Sequence, residues 1–243
     1  MSHSDEISLK GKRVLVSGGT TGIGRAIVDL LVEEGAHVAA FARKAEDINE
    51  LSTAQPTVLA FTADTSKHED VKAAFDRATK EFGGLDLVVT NAGISGDSVL
   101  QQPFSEWRYV LEVNLMGPML MTTMAGERLE GGGRVIAIGS ISAKVRGEES
   151  DVYVATKTGL RGFVDSVSKM LNPKGIGVSL IEPGLTQSEM VRHGRSDEEL
   201  DEEIEKMKML AAEDIARTVL FVARQPARVE IPFMQVRPIG EPE

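Results

Sequence analysis

Arg13-Val14-Leu15-Val16-Ser17-Gly18-Gly19-Thr20-Thr21-Gly22-Ile23-Gly24 is the stretch on which the fold turns. Its first half is a short apolar run of strand-forming residues, and its second half is a glycine-rich turn. Apolar positions then return at helical spacing, at Ile27, Val28, Leu30, Leu31 and Val32, up to Glu33-Glu34-Gly35. Gly35 suits a helix C-cap. A second strand, His37-Val38-Ala39-Ala40-Phe41, follows. Strand, glycine turn, helix and strand within about thirty residues form the context of a dinucleotide-binding βαβ unit. Glycine lets the backbone reach positive φ and approach a pyrophosphate, and the new helix aims free N–H groups and the positive end of its dipole at phosphates. The glycines at 18, 22 and 24 do not follow G-x-G-x-x-G, and such a turn also occurs as a plain strand–helix joint. The rest of the chain therefore has to carry the reading.

Outward from this unit the alternation continues. Thr57 to Thr62 reads as a strand ending at Ala63-Asp64, and a helix from about Lys67 to Phe82 stops at Gly83-Gly84. The strand Leu85 to Val89 runs into Thr90-Asn91-Ala92-Gly93. A long helix from Phe104 to about Leu129 contains Asn114, and Val135 to Gly139 reads as a buried strand ending at Ser140. A helix from about Asp151 stops at Asn172-Pro173, and the strand Gly177 to Ile181 breaks at Glu182-Pro183-Gly184. The expected fold is α/β, a doubly wound, Rossmann-like parallel sheet of seven strands with helices on both faces. Residues 1–10 read as an N-terminal tail, and residues 11–243 as one domain.

Composition removes several function classes. The chain has 243 residues, no cysteine, and four scattered histidines, His3, His37, His68 and His193, without ligand spacing. Disulfides, thiolate chemistry and a metal site are not expected. A formal charge of -10 argues against nucleic acid and anionic membrane as partners. No apolar run approaches the ~18 residues of a membrane span, and Met1 to Lys10 lacks the apolar core of a signal peptide. A cytoplasmic protein is expected.

Tyr153 and Lys157 stand at i and i+4, one turn apart on one helix face. An ammonium ~4 Å from a phenol favours phenolate by about 4 kcal/mol at an effective dielectric of ~20, which makes tyrosine a usable acid or base near neutrality. A serine at the carboxyl end of a parallel strand, Ser140, could hold a substrate oxygen beside it. The pair alone is common on surface helices.

At the end of the second strand, where NAD-preferring folds commonly carry an acid for the ribose hydroxyls, this chain has Ala42 followed by Arg43 and Lys44. Two cations and no anion favour a 2′-phosphate, so NADP is expected ahead of NAD. Thr20 and Thr21 add hydroxyl donors nearby.

Taken together, these segments resemble the short-chain dehydrogenase/reductase family over nearly the whole chain. Ser17 to Gly24 resembles the T-G-x3-G-x-G cofactor turn, which assigns Gly18, Thr20, Thr21, Gly22, Ile23 and Gly24 to the cofactor. Asp64 matches the acid that contacts adenine, and Asn91-Ala92-Gly93 matches the family's N-A-G. Ser140, Tyr153 and Lys157 match its serine and Y-x3-K, and Asn114 matches its helical asparagine. Pro183-Gly184 matches its P-G, but Leu185-Thr186-Gln187-Ser188 departs from the usual x-V-x-T. Thr186 and Ser188 are assigned to the cofactor's nicotinamide end.

The resemblance implies a carbonyl/alcohol oxidoreductase. Tyr153 would act as acid/base, Lys157 would lower its pKa and bind ribose, Ser140 would position the substrate oxygen, and Asn114 would complete a proton relay. It also implies a homodimer or homotetramer through the Phe104–Leu129 and Asp151–Asn172 helices. The acidic run Asp197 to Glu205 reads as a solvated helix, and by its position after Pro183-Gly184 the resemblance makes it part of a lid over about 189–210. The chain's last part, Ala211 to Pro238, resembles the 3-hydroxy-acid and serine dehydrogenase branch. A small ketone or a 3-hydroxy/3-oxo acid is the expected substrate; an acid's carboxylate could pair with Lys144, Arg146, Arg192 or Arg195, which read equally as solvent-facing charges. A catalytically silent NADP(H)-binding regulatory or scaffold protein on the same fold stays open. Met116, Met119, Met121 and Met124 read as packing or subunit contact, and Trp107 as a packing residue.

Overall fold

A computed structural model describes residues 7–144, 150–192 and 195–240. Arg146 and His193 lie outside the described residues. The elements in chain order are β1 (Arg13–Ser17), α1 (Gly22–Glu33), β2 (His37–Ala42), α2 (Ala45–Ala54), β3 (Leu59–Thr62), α3 (His68–Phe82), β4 (Leu85–Thr90) and α4 (Phe104–Leu111). After a π-helical turn, Glu112–Met116, come α5 (Gly117–Arg128), β5 (Leu129–Ile138), α6 (Asp151–Leu171) and β6 (Gly177–Pro183). The chain then forms α7 (Glu189–Arg192), α8 (Asp197–Glu205), α9 (Ala212–Ala223) and β7 (Phe233–Val236).

The seven strands make one parallel sheet in the order β3-β2-β1-β4-β5-β6-β7. The apolar strands are buried because helices cover both faces. On one face Ile27, Val28 and Leu31 of α1 pack with Ile215 and Val219 of α9 against Val14, Val16 and Ile136. On the other, Phe75 of α3, Met121 of α5 and Leu160 of α6 pack against Leu15, Val88 and Val135. The strand order reverses between β1 and β4, and the crevice beyond their carboxyl ends is where such sheets take ligands.

Several local features depart from the expected layout. Residues 1–10 were read as a tail, yet Leu9 is buried and the Ile7 N–H donates to the Arg224 carbonyl, so the packed body begins before residue 11. The long helix from Phe104 is split by its π turn into α4 and α5. β5 begins at Leu129, earlier than Val135, with irregular pairing to β4 between Leu85 and Leu87. Met121 and Met124 are core residues, whereas Met116 and Met119 are exposed. Trp107 packs edge-on against Phe104, ring centroids 4.7 Å apart.

Candidate active site

The turn between β1 and α1 is shaped by two glycines. Gly18 has φ +63°, and a Cβ there would lie 2.9 Å from the Cα of Ala92. A Cβ at Gly24 would lie 1.9 Å from the Gly18 carbonyl oxygen and 2.4 Å from the Asn91 amide nitrogen. Only glycine lets the first turn of α1 sit this close to the β1–α1 loop and β4. Thr21 makes no side-chain cap, so the free N–H groups of α1 open into the crevice, the arrangement that suits phosphate. The Ser17 hydroxyl accepts from the N–H groups of Asn91 (3.1 Å) and Ala92 (3.2 Å), while the Asn91 amide donates to the carbonyls of Ser17 and Gly18 at 3.2 and 2.9 Å. The ends of β1 and β4 are thereby fixed at one edge of the crevice.

That crevice is a cleft of about 1130 Å³. Its lining brings together Gly18, Thr20, Thr21, Gly22, Ile23, Gly24, Arg43, Lys44, Asn91, Ala92, Gly93, Pro183, Gly184, Thr186 and Ser188 with Ser140, Tyr153 and Lys157. Two expected residues stand back from the wall. Asp64 turns its carboxylate onto the Ser66 N–H (2.9 Å) and hydroxyl (2.8 Å) and onto the Tyr109 hydroxyl (2.9 Å); Ala63 and Thr65 line the cleft in its place. Asn114 is fully buried, and its amide pairs both ways with the backbone of Ile94 at 2.8 Å. With both sides of its amide engaged, the Asn114 side chain anchors the loop after β4.

At the other end of the cleft, Ser140 caps a short 3₁₀ turn, accepting from the Ser142 N–H at 3.1 Å. Burial pushes the Tyr153 phenol above its ordinary pKa, and the Ser140 hydroxyl pulls it back down. Lys157 is buried and donates to the Ile138 carbonyl at 3.1 Å, its Nζ 5.6 Å from the centre of the Tyr153 ring. In this arrangement one of the three ammonium N–H donors of Lys157 is engaged by the Ile138 carbonyl, and desolvation is the largest influence on the phenol. Burial also pushes Lys157 down to about 8, while Glu182 opposes the fall.

Glu182 and Tyr109 are residues the sequence reading passed over. Glu182 is fully buried at the end of β6, 3.3 Å from Arg161, and faces Lys144, Lys157 and Asp165 as well. A lone carboxylate closing the apolar run Val178–Ile181 was its available signal. Tyr109 carried none, because its partners are remote in sequence.

The cations expected to meet a substrate carboxylate are largely engaged. Lys144 lies over the Phe233 ring. Arg192 lines the cleft but pairs with Asp197 at 2.7 Å. Segment 189–210 is docked on the body through buried Leu200 and Met209, and the Leu210 N–H donates to the Leu185 carbonyl at 2.9 Å. Ser196 and Glu199 form a capping box at the start of α8. No helix among the described residues is long and apolar enough to cross a membrane.

Comparison with known proteins agrees with this geometry. The short chain dehydrogenase family pattern matches residues 12–199. Serine 3-dehydrogenase of Rhizobium radiobacter is 30% identical over 234 residues, covering 94% of each sequence. A short chain dehydrogenase of Burkholderia cenocepacia, solved in complex with NADP, superimposes with a TM-score of 0.82 at 29% identity, covering 95% of this chain and 98% of that one. A short-chain dehydrogenase/reductase of Serratia marcescens gives a TM-score of 0.84 at 29% identity, covering 96% and 98%. With the glycine turn, the serine, the tyrosine and the lysine gathered on one cleft, the chain belongs to the short-chain dehydrogenase family of oxidoreductases.

Proposed function

We propose that this protein is an NADP-dependent oxidoreductase that interconverts a carbonyl and a secondary alcohol. The observation that carries the reading is a single cleft with the open N-terminus of α1, Arg43 and Lys44 at one end and Ser140, Tyr153 and Lys157 at the other. The residues fit the cofactor: Gly24 leaves no room for a side chain where α1 meets the turn, and the helix N–H groups suit a pyrophosphate. Arg43 and Lys44 would take the 2′-phosphate, Lys157 the nicotinamide ribose, and Thr186 and Ser188 the nicotinamide end. When bound, the nicotinamide supplies or accepts the hydride.

The chain's own residues handle the oxygen and its proton. Ser140 holds the substrate oxygen beside Tyr153. Tyr153 gives its phenolic proton to the carbonyl oxygen in reduction and takes the hydroxyl proton in oxidation. The Ser140 hydroxyl works against burial and draws the phenol's pKa down, toward the range in which proton transfer is efficient. Asn114 keeps the loop after β4 in place through Ile94.

The substrate class we favour is a small ketone or a 3-hydroxy/3-oxo acid, a reading supported by likeness to serine 3-dehydrogenase. The test is the absorbance of NADPH with a panel of neutral ketones and 3-oxo acids, and of NADP+ with the matching alcohols. Turnover with members of the panel is expected. Tight NADPH binding with no turnover in either direction would replace this reading by a silent, cofactor-binding one.

For assembly we propose a homodimer or homotetramer through α4, α5 and α6. Exposed Phe104, Met119 and Met170 on these helices and Met116 in the π turn between α4 and α5 support it.

A further inference from the structure

Arg43 follows β2 on the surface, where an arginine ordinarily samples many rotamers. Here it does not hang free. Its Nη1 donates to the Tyr109 hydroxyl at 2.6 Å, and its guanidinium carbon lies 5.4 Å from the centre of the Tyr109 ring. The Tyr109 hydroxyl in turn donates to Asp64 Oδ2 at 2.9 Å. A phenol has one proton to give and lone pairs to accept with, so this direction of bonding uses it fully. Asp64 is itself fixed: Ser66 donates twice to its other oxygen, and its own N–H donates to Asp70 at 2.9 Å. The chain Arg43–Tyr109–Asp64 thus runs from the wall of the cleft to the rigid turn between β3 and α3.

We propose that Tyr109 is a specificity-determining residue that holds the Arg43 guanidinium in place for the 2′-phosphate of the cofactor. The proposal rests on the NADP reading of the cleft. One of the five guanidinium N–H groups is spent on Tyr109, and Arg43 still lines the cleft. A guanidinium already ordered loses less freedom when phosphate arrives, which raises affinity without a new contact. The bridging phenol also keeps the Arg43 guanidinium from collapsing onto the Asp64 carboxylate, where its charge would be neutralised. Without the hydroxyl, Arg43 is released either to Asp64 or to solvent, and both movements take it from the phosphate. A cofactor lacking the 2′-phosphate does not feel the change.

The test is calorimetric binding of NADP+, NAD+ and adenosine 2′-monophosphate to the wild type, Tyr109→Phe, Arg43→Ala and the double variant. Tyr109→Phe should weaken NADP+ and adenosine 2′-monophosphate by about 3- to 10-fold, the scale of one typical net hydrogen bond, and leave NAD+ within about twofold. Arg43→Ala should weaken the two phosphate ligands further, and the double variant should match Arg43→Ala alone, because Tyr109 acts only through Arg43. Unchanged NAD+ binding also certifies that the variant is folded. Equal losses for NADP+ and NAD+, no loss at all, or additive losses in the double variant would overturn the proposal. A wild type that binds NAD+ as well as NADP+ would overturn the NADP reading beneath it, whereas NADP+ preference that is abolished by Arg43→Ala but untouched by Tyr109→Phe would overturn the role of Tyr109 alone.

Discussion

The Glu182 carboxylate lies fully buried 3.3 Å from the Arg161 guanidinium, and Arg161 is one helical turn beyond Lys157 on α6. Tyr153, Lys157, Arg161 and Asp165 follow one another at every fourth position, so one helix face carries the phenol, then two cations and then a carboxylate. Glu182 reaches that face from β6, and Lys144 adds a cation from the turn after β5. Glu182 holds the Lys157 proton against the effect of burial. Glu182→Gln should therefore lower the pKa of Lys157 below its present value of about 8 and move the basic limb of the kcat/KM profile toward acid. A profile that keeps its shape and position while activity falls uniformly would assign Glu182 to packing only.

Lys157 also ties folding stability to pH. Its pKa is about 8 in the fold against an ordinary 10.5. Between those values the unfolded chain binds more protons than the folded one, so this group's contribution to stability rises with pH and is lost as pH falls through about 8. Tyr153 acts oppositely, but only above its ordinary value of 10, because its folded pKa is raised. Urea unfolding of the wild type and Lys157→Met from about pH 8 to 9.5 isolates the lysine. The stability difference should shift in favour of the wild type as pH rises. A constant difference would show that Lys157 is not held deprotonation-prone in the fold.

Tyr153→Phe keeps the ring and removes the transferable proton. Its kcat should fall by at least about 10²-fold, the usual scale of acid–base assistance, with NADPH affinity little changed. Stopped-flow turnover near that of the wild type would remove Tyr153 from the proton step.

Gly24→Ala should disturb the cofactor end without touching the proton chemistry. The added carbon meets the Gly18 carbonyl, a backbone atom that has no rotamer to escape into. Overpacking of this kind costs about 1–3 kcal/mol and should be at the upper end here. Thermal unfolding should fall, and the dinucleotide should bind at least about tenfold more weakly, since the first turn of α1 must shift. Unchanged binding would mean that the turn tolerates the extra carbon.

Sedimentation velocity at micromolar concentration should give twice or four times the 26.2 kDa protomer mass. Charged substitution of Met116 and Met119 together should reduce it. A single species of protomer mass in the wild type would leave the exposed face of α4 and α5 without a second copy.

What could be read in the chain follows from how locally each feature is encoded. β1, β2, β4 and β6 are continuous apolar runs because the sheet buries both of their faces. α2 escaped notice because only Ile48 and Leu51 of its ten residues are buried, too few to make a periodic pattern. The glycine turn, Ser140, Tyr153 and Lys157 were legible because their chemistry depends on short spacings. Tyr109 was not: its partners lie 66 positions away at Arg43 and 45 away at Asp64. Asp64 and Asn114 stand back from the cleft wall, and residue type alone could not reveal that Ser66, Tyr109 and Ile94 claim their side chains.

The π-helical turn at Glu112–Met116 sets the angular phase between α4 and α5. A turn with i→i+5 bonding accommodates one more residue than an α-helical turn, and each residue of an α-helix advances about 100° around its axis. Relative to an unbroken helix, everything upstream is therefore offset by roughly one residue step of ~100°. Tyr109, upstream of that offset, bonds Arg43, while Asn114, inside the wide turn, bonds Ile94. Deleting a single residue there would let the helix run straight and would turn the Tyr109 phenol away from both of its partners. One surplus residue thus acts as an indexing device, setting the heading of Tyr109 beside Arg43 relative to the loop that Asn114 holds at Ile94.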